Sequence, residues 1–195
     1  MTAITPLQSI HKKGIFGDHH KKNESDLIQI SEAKHLKIIQ VVQYKRSKIQ
    51  LSTIEIDDLK LPIENSKVTS NKKTRILWNA PKTWLIISNK ENIFETIEKK
   101  CSSENFALTD ISHSRAIIKI KGRQSKEILK KGSPINFDKF EKNNCAGTIF
   151  HGINILVDSI DSDFETYHLL TLRSFGESLY HHITDSALEF GYVGV

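Results

Sequence analysis

Apolar residues along this chain recur in two rhythms, and each rhythm predicts a kind of element. Leu36 to Val42 is rich in β-branched residues and partly alternating, which predicts a strand. Ile49 to Ile56 sets Ile49, Leu51 and Thr53 against Gln50, Ser52 and Ile54, a second alternating run and a second expected strand. Residues 57–72 carry Asp57-Asp58, Pro62, Asn65 and Asn71, turn chemistry that predicts a loop. Arg75 to Trp78 and Trp84 to Ile87 then flank Asn79-Ala80-Pro81-Lys82-Thr83, so a hairpin is expected. From Asn92 to Cys101 the period changes: Ile93, Phe94, Ile97 and Cys101 share one face at helical spacing.

The second half repeats this order. Ala116 to Ile120 reads as a strand ending at Gly122, and Ser125 to Lys131 as a short helix stopped by Gly132 and Pro134. Three further strands are expected over Ala146–Phe150, Ile153–Val157 and Tyr167–Leu172, separated by Gly152 and by an acidic turn over Asp158–Asp163. Ser174 with Glu177 has the spacing of a capping box. The helix it would open carries Phe175, Leu179, His182, Ile183, Ser186 and Phe190 on one face and ends at Gly191. The pattern predicts an α+β fold of two ferredoxin-like halves, antiparallel strands with helices packed on one face. The expected layout is a flexible N-terminal arm over 1–26 and one α+β unit over 27–195, with halves of about 27–107 and 108–195. The arm is assigned as flexible because its polar residues bury too little to offset the entropy of ordering them.

Composition narrows the class without naming it. The 195 residues are 38% hydrophobic and 26% charged, a soluble globular balance. Net charge is +5, but the excess is dispersed as pairs such as Lys12-Lys13, Lys72-Lys73 and Lys130-Lys131. Nucleic-acid binding is therefore ranked last, since no dense basic stripe or recognition motif accompanies the charge. Cys101 and Cys145 lie far apart with no Cys-x-x-Cys, which argues for two free thiols. No apolar run approaches the ~18 residues of a membrane helix, nor does the N-terminus resemble a signal peptide. A cytoplasmic protein without membrane association is expected.

Candidate chemistry is sparse. Asp110 and His113 have the spacing of a base and its orienter, although Asp and Ser at a strand entry serve more often as turn and capping groups. His181-His182 sits on a helix, where neighbours point about 100° apart and do not share one metal; His182 is expected at the buried edge. His19-His20 lacks further ligands nearby. Asp158, Asp161 and Asp163 could act as bases, but nothing in the sequence orients one toward a substrate. Phosphate-cradling glycine loops and the usual hydrolase and metalloprotease motifs are missing. No catalytic, cofactor-binding or metal residue is assigned.

Three phrases supply what composition does not. Thr109-Asp110-Ile111-Ser112-His113-Ser114-Arg115, Lys131-Gly132-Ser133-Pro134-Ile135 and Arg173-Ser174-Phe175-Gly176-Glu177-Ser178-Leu179 resemble the gamma subunit of heterotetrameric sarcosine oxidase. The ending Ala187-Leu188-Glu189-Phe190-Gly191-Tyr192 fits the same pattern, and the resemblance covers about residues 30–195. It implies a non-catalytic subunit beside alpha, beta and delta partners that hold FAD, FMN, NAD and zinc. The complex so implied oxidises sarcosine with oxygen to glycine and hydrogen peroxide, releasing formaldehyde or passing the carbon to tetrahydrofolate. The resemblance also implies a fold similar to the folate-binding module of aminomethyltransferases, which share the Asp-x-Ser-His phrase. A stand-alone folate-binding module is thus the rival expectation. Against it, the paired aspartates of those transferases are absent, and only Asp158 lies in the corresponding stretch.

Overall fold

The computed structural model describes residues 4–163 and 165–195. Among the described residues it has fourteen strands and three α-helices, with short 3₁₀ turns between them. The first nine strands in chain order are β1 (Gly14–Phe16), β2 (Ile28–Glu32), β3 (Lys37–Gln43), β4 (Glu55–Ile56), β5 (Leu59–Lys60), β6 (Val68–Ser70), β7 (Thr74–Ala80), β8 (Thr83–Ser88) and β9 (Phe106–Asp110). Then come β10 (Arg115–Lys121), β11 (Cys145–Phe150), β12 (Ile153–Asp161), β13 (Thr166–Leu172) and β14 (Tyr192–Gly194). The helices are α1 (Ile93–Lys100), α2 (Ser125–Gly132) and α3 (Gly176–Ala187). The fold is α+β, as the order of strands and helices predicts.

The chain divides into two compact units, one of residues 4–34, 114–142 and 146–195, the other of residues 35–113 and 143–145. The boundary therefore does not fall at 107/108. Hydrogen bonding decides this: β9 completes the sheet of the second unit beside β3, while β2, from before the crossing, pairs with β10 in the first.

The first unit is built on a seven-stranded sheet ordered β1-β14-β2-β10-β13-β12-β11. Register places Ile120 opposite both Ile30 and Tyr167, and Leu169 opposite both Ile118 and Val157. Directly opposed residues point to the same face, so these form one apolar layer. Ile128 and Leu129 of α2 and Leu179, Ile183 and Ala187 of α3 complete this core. The other face is also buried at Ile117, Leu156 and Leu170. Burial on both faces explains why β12 reads as a continuous apolar run instead of an alternating one. It also corrects the expected acidic turn: β12 continues through Asp158 and Ser159 to Asp161, with a bulge between Ser159 and Asp161. The β11–β12 connection turns on His151 and Gly152, with φ of 46° and 83°. Positive φ at both central residues is the geometry a two-residue hairpin turn requires.

The second unit carries a five-stranded sheet ordered β6-β7-β8-β3-β9 and the small β4-β5 ribbon. Ile39, Ile76, Trp84, Ile86 and Phe106 pack with Ile93 and Ile97 of α1. The Trp84 indole N–H donates to the Pro62 carbonyl at 2.8 Å and pins the intervening loop. The strand expected over Ile49–Ile56 is only a two-residue strand at its end. Leu51–Thr53 is a 3₁₀ turn, because Thr53 returns both its amide and its hydroxyl to the Gln50 carbonyl. Ser and Thr compete with extended backbone in this way. Conversely, Val68–Ser70 pairs with β7 inside the expected loop.

The N-terminal arm requires the largest correction, and residues 1–3 of it lie outside the described residues. Leu7 is fully buried in the first core, and Leu27 is 3% exposed. Glu32 accepts from the Thr5 hydroxyl at 2.7 Å and from the Leu7 amide at 3.2 Å. His11 bridges the Tyr180 hydroxyl at 3.0 Å and the Val195 carbonyl at 2.9 Å. β1 pairs with β14 from Gly14↔Gly194 to Phe16↔Tyr192. At Gly194 a Cβ would stand 2.0 Å from the Lys12 carbonyl oxygen, so only glycine admits the arm. Ordering is offset by strand pairing plus a few well-placed apolar anchors, which total hydrophobicity does not reveal.

The start of α3 also differs from expectation. Arg173–Phe175 forms a 3₁₀ turn and α3 begins at Gly176, so the Ser174–Glu177 capping box does not form. The buried face is Leu179, Tyr180, Ile183, Ser186 and Ala187, leaving Phe175 and His182 in solvent. Replacing Leu7 with Ala tests the seating of the arm. Urea unfolding should show a loss of about 2–4 kcal/mol; an unchanged midpoint would mean that the arm contributes nothing to the core.

Candidate functional site

Asp110 is the last residue of β9, paired with Ile39. Its Oδ1 accepts from the Ser112 amide at 2.9 Å and the Ser112 hydroxyl at 2.5 Å. Ser112 Oγ in turn accepts from the Ile38 amide at 2.9 Å. Burial works against the carboxylate charge, but the Ser112 hydrogen bonds, helped by Lys37 and His113, hold its pKa below the ordinary value. The carboxylate fastens the end of β9 to β3, while His113 is exposed on the following 3₁₀ turn. The Asp-x-Ser-His phrase is thus a strand-end lock.

Asp158 is fully buried and stands opposite the half-buried His168 across β12 and β13. It belongs to the first unit and Asp110 to the second. Asp161 Oδ1 caps the backbone of Asp163 at 3.1 Å in the turn after β12.

The histidines are distributed in the same way. His181 lies 3.8 Å from Glu177 one turn back. His182, expected at the buried edge, is instead exposed and stacks on His151, ring centroids 5.0 Å apart. His151 comes from the β11–β12 turn, so no spacing in the sequence signals that pairing. His181, His182, Thr184, Asp185, Leu188 and Tyr192 border a shallow, wide-open depression of about 450 Å³. Such a surface does not exclude water from a reacting group. His19 and His20 stack on each other, with His19 Nδ1 2.7 Å from the Gly17 carbonyl. Among the described residues, no cluster of three or more His, Cys, Asp or Glu side chains could hold a metal.

Both cysteines are buried, and neither is in a disulfide. Burial pushes the Cys101 thiol up to about 11, so it carries almost no thiolate near neutral pH. Cys145 Sγ sits 3.2 Å from the Trp78 carbonyl and 3.6 Å from that of Lys67. No described helix is long and apolar enough to cross a membrane.

A well-connected polar group of the second unit lies in the expected loop. Asp57, in the left-handed region at φ 54°, accepts from the Thr74 hydroxyl at 2.5 Å, from Asn71 at 3.3 Å and from Lys90. Thr74 also meets Ser88 at 2.8 Å, and Asn71 accepts from the amides of Lys73 and Thr74. Asx turn chemistry hints at Asp57 and Asn71, but the meeting with Lys90 is tertiary. The arrangement holds the β7 entry; it presents no nucleophile or open acceptor.

Comparisons of sequence and structure place the chain among known proteins. The chain adopts the fold of a chain in the heterotetrameric sarcosine oxidase of Corynebacterium sp. U-96 in complex with pyrrole 2-carboxylate. The TM-score is 0.83 at 17% identity, covering 97% of each chain. The glycine cleavage system aminomethyltransferase T of Bartonella henselae shares the fold at TM-score 0.64 and 12% identity. That match covers 91% of this chain and 56% of the transferase. Among curated protein sequences, none matches the chain. The sarcosine oxidase, gamma subunit family matches residues 51–189. The chain belongs to that family.

Asp57 offers a direct check on how polar residues are used here. Burial would raise its pKa, but hydrogen bonds from Lys90, Thr74 and Asn71 outweigh that and lower it below 3.8. A depressed carboxylate contributes stability above its unfolded pKa, and that stability is lost as pH falls through the folded value. Asp57→Asn should therefore cost about 2 kcal/mol at neutral pH. The gap to wild type should narrow below about pH 4. A pH-independent difference in urea midpoints would contradict this.

Proposed function

We propose that the chain is the non-catalytic gamma subunit of a heterotetrameric sarcosine oxidase, working in the cytoplasm in an assembly role. Membership of the gamma subunit family over residues 51–189 carries this reading. The alpha, beta and delta subunits are its partners and hold FAD, FMN, NAD and zinc. The assembled enzyme converts sarcosine, oxygen and water to glycine, hydrogen peroxide and formaldehyde, or to methylene-tetrahydrofolate when tetrahydrofolate is present. This chain's share is to fold rigidly and cover apolar surface on its neighbours. The engagement of Asp110 with Ser112, and of Asp57 with Thr74 and Lys90, supports a scaffold over a reacting centre.

The folate-binding alternative is not favoured. Its chemistry would fall to Asp158, which is fully buried, or to Asp110, which is committed to Ser112. Co-expression of a tagged chain with the three other subunits tests the proposal. All four should elute together in equal amounts at low salt, while the isolated chain should give no saturable micromolar titration with tetrahydrofolate. A chain eluting alone would contradict the subunit role. Saturable folate binding abolished by Asp110→Ala would favour the module instead.

A further inference from the structure

Leu7 is fully buried and Leu27 is 3% exposed, yet no residue between them is buried. Ile10 and Phe16 rest against the first core, each only partly buried. The Asp18 amide donates to the Leu188 carbonyl at 2.7 Å, and Lys22 Nζ to the Phe190 carbonyl at 3.1 Å. β1 pairs with β14, where the Phe16 and Tyr192 rings stack with centroids 5.2 Å apart. His11 adds its bonds to the Val195 carbonyl and the Tyr180 hydroxyl. Residues 11–22 are therefore held chiefly by the stretch 188–195. Thr5 and Leu7, by contrast, are fastened to Glu32, and the Ile4 carbonyl to Arg173.

The two sides of this contact are unequal. β14 keeps a second ladder, parallel to β2 from Tyr192↔Ile28 to Gly194↔Ile30, and the Val195 amide donates to the Ile30 carbonyl at 3.1 Å. Tyr192 and Val193 are buried. β1, at the edge of the sheet, has β14 alone. A segment with few buried apolar side chains and solvent-exposed backbone bonds opens at a lower free energy than the whole fold. Buried leucines at both ends keep such an opening local and its closure entropy small.

We propose that residues 8–26 are a strap that opens as one piece between Leu7 and Leu27, leaving the first core intact. The dependence runs one way: the strap closes only on a docked β14, while β14 keeps its place on β2 when the strap is open. Opening turns β14 into an exposed sheet edge with unpaired backbone groups. Gly17 sets the closed position, since a Cβ there would stand 2.2 Å from the Leu188 carbonyl oxygen. The device is built from this chain alone and does not depend on the gamma subunit reading.

Native-state hydrogen exchange of the full chain tests the strap. The Asp18 amide reports the strap, the Val195 amide reports β14, and the amides of β10 and β13 report the sheet interior. In wild type, Asp18 should be less protected than Val195 by about tenfold or more, and β10 and β13 should be the most protected. Gly17→Ala should lower protection at Asp18 by roughly another tenfold, while Val195, β10 and β13 stay within about threefold of wild type. Val193→Ser should lower Asp18 and Val195 together. If Gly17→Ala does not fold, His11→Ala, which removes the bonds to Tyr180 and Val195, gives the same comparison. Equal protection of Asp18 and the β10 and β13 amides in wild type would overturn the strap. A loss at Val195 matching that at Asp18 in Gly17→Ala or His11→Ala would overturn the one-way dependence. So would unchanged protection at Asp18 when Val193→Ser exposes Val195.

Discussion

The larger unit depends on the placement of β14. Those three residues, Tyr192–Gly194, run parallel to β2 and antiparallel to β1, and so join the far end of the sequence to its beginning. Without β14 the sheet would end at β2 with its backbone groups unpaired, and the arm would have no strand to join. The constraint is tight: Gly194 must lack a side chain for the Lys12 carbonyl to approach, and Gly17 meets the same demand at Leu188. Closing so long a loop is entropically costly. It is offset by the paired backbone, by Leu7 in the core and by His11 between Tyr180 and Val195.

Function follows from what that closure leaves outside. The polar groups that resemble catalytic residues are occupied in building: Asp110 with Ser112, Asp57 with Thr74 and Lys90, Asp161 with the turn after β12. His181 and His182 border an open depression. Likeness to an aminomethyltransferase at TM-score 0.64 therefore conveys shared architecture. Activity is a property of sites set upon a fold, and here Asp110, Asp57 and Asp161 serve the strands and turns.

The elements legible in the sequence were those whose partners are near in the chain. The hairpin of Arg75–Trp78 with Trp84–Ile87, the helix over Asn92–Cys101 and the strand over Ala116–Ile120 all carry a local rhythm, and all form. β2, β9 and β14 escaped because each is short and owes its extended form to a distant partner. The Ile49–Ile56 alternation misled because Thr53 folds back on Gln50. The arm misled in the opposite sense, since Leu7 and a three-residue strand outweigh a polar composition. At the candidate site, Asp110–Ser112 was readable as turn chemistry within four residues. The His151–His182 stack and the Asp57–Lys90 pair were not, because only the tertiary fold brings them together.

On the proposed reading, this chain contributes surface and rigidity, not reacting groups. Sarcosine turnover by the assembled complex, with Asp110, His113, His181 and His182 of this chain all replaced by Ala, tests it most directly. With the quadruple variant incorporated at wild-type stoichiometry, kcat should stay within about twofold of wild type. General acid–base catalysis contributes about 10²–10⁴-fold, so a fall of that size in a fully assembled complex would contradict the account.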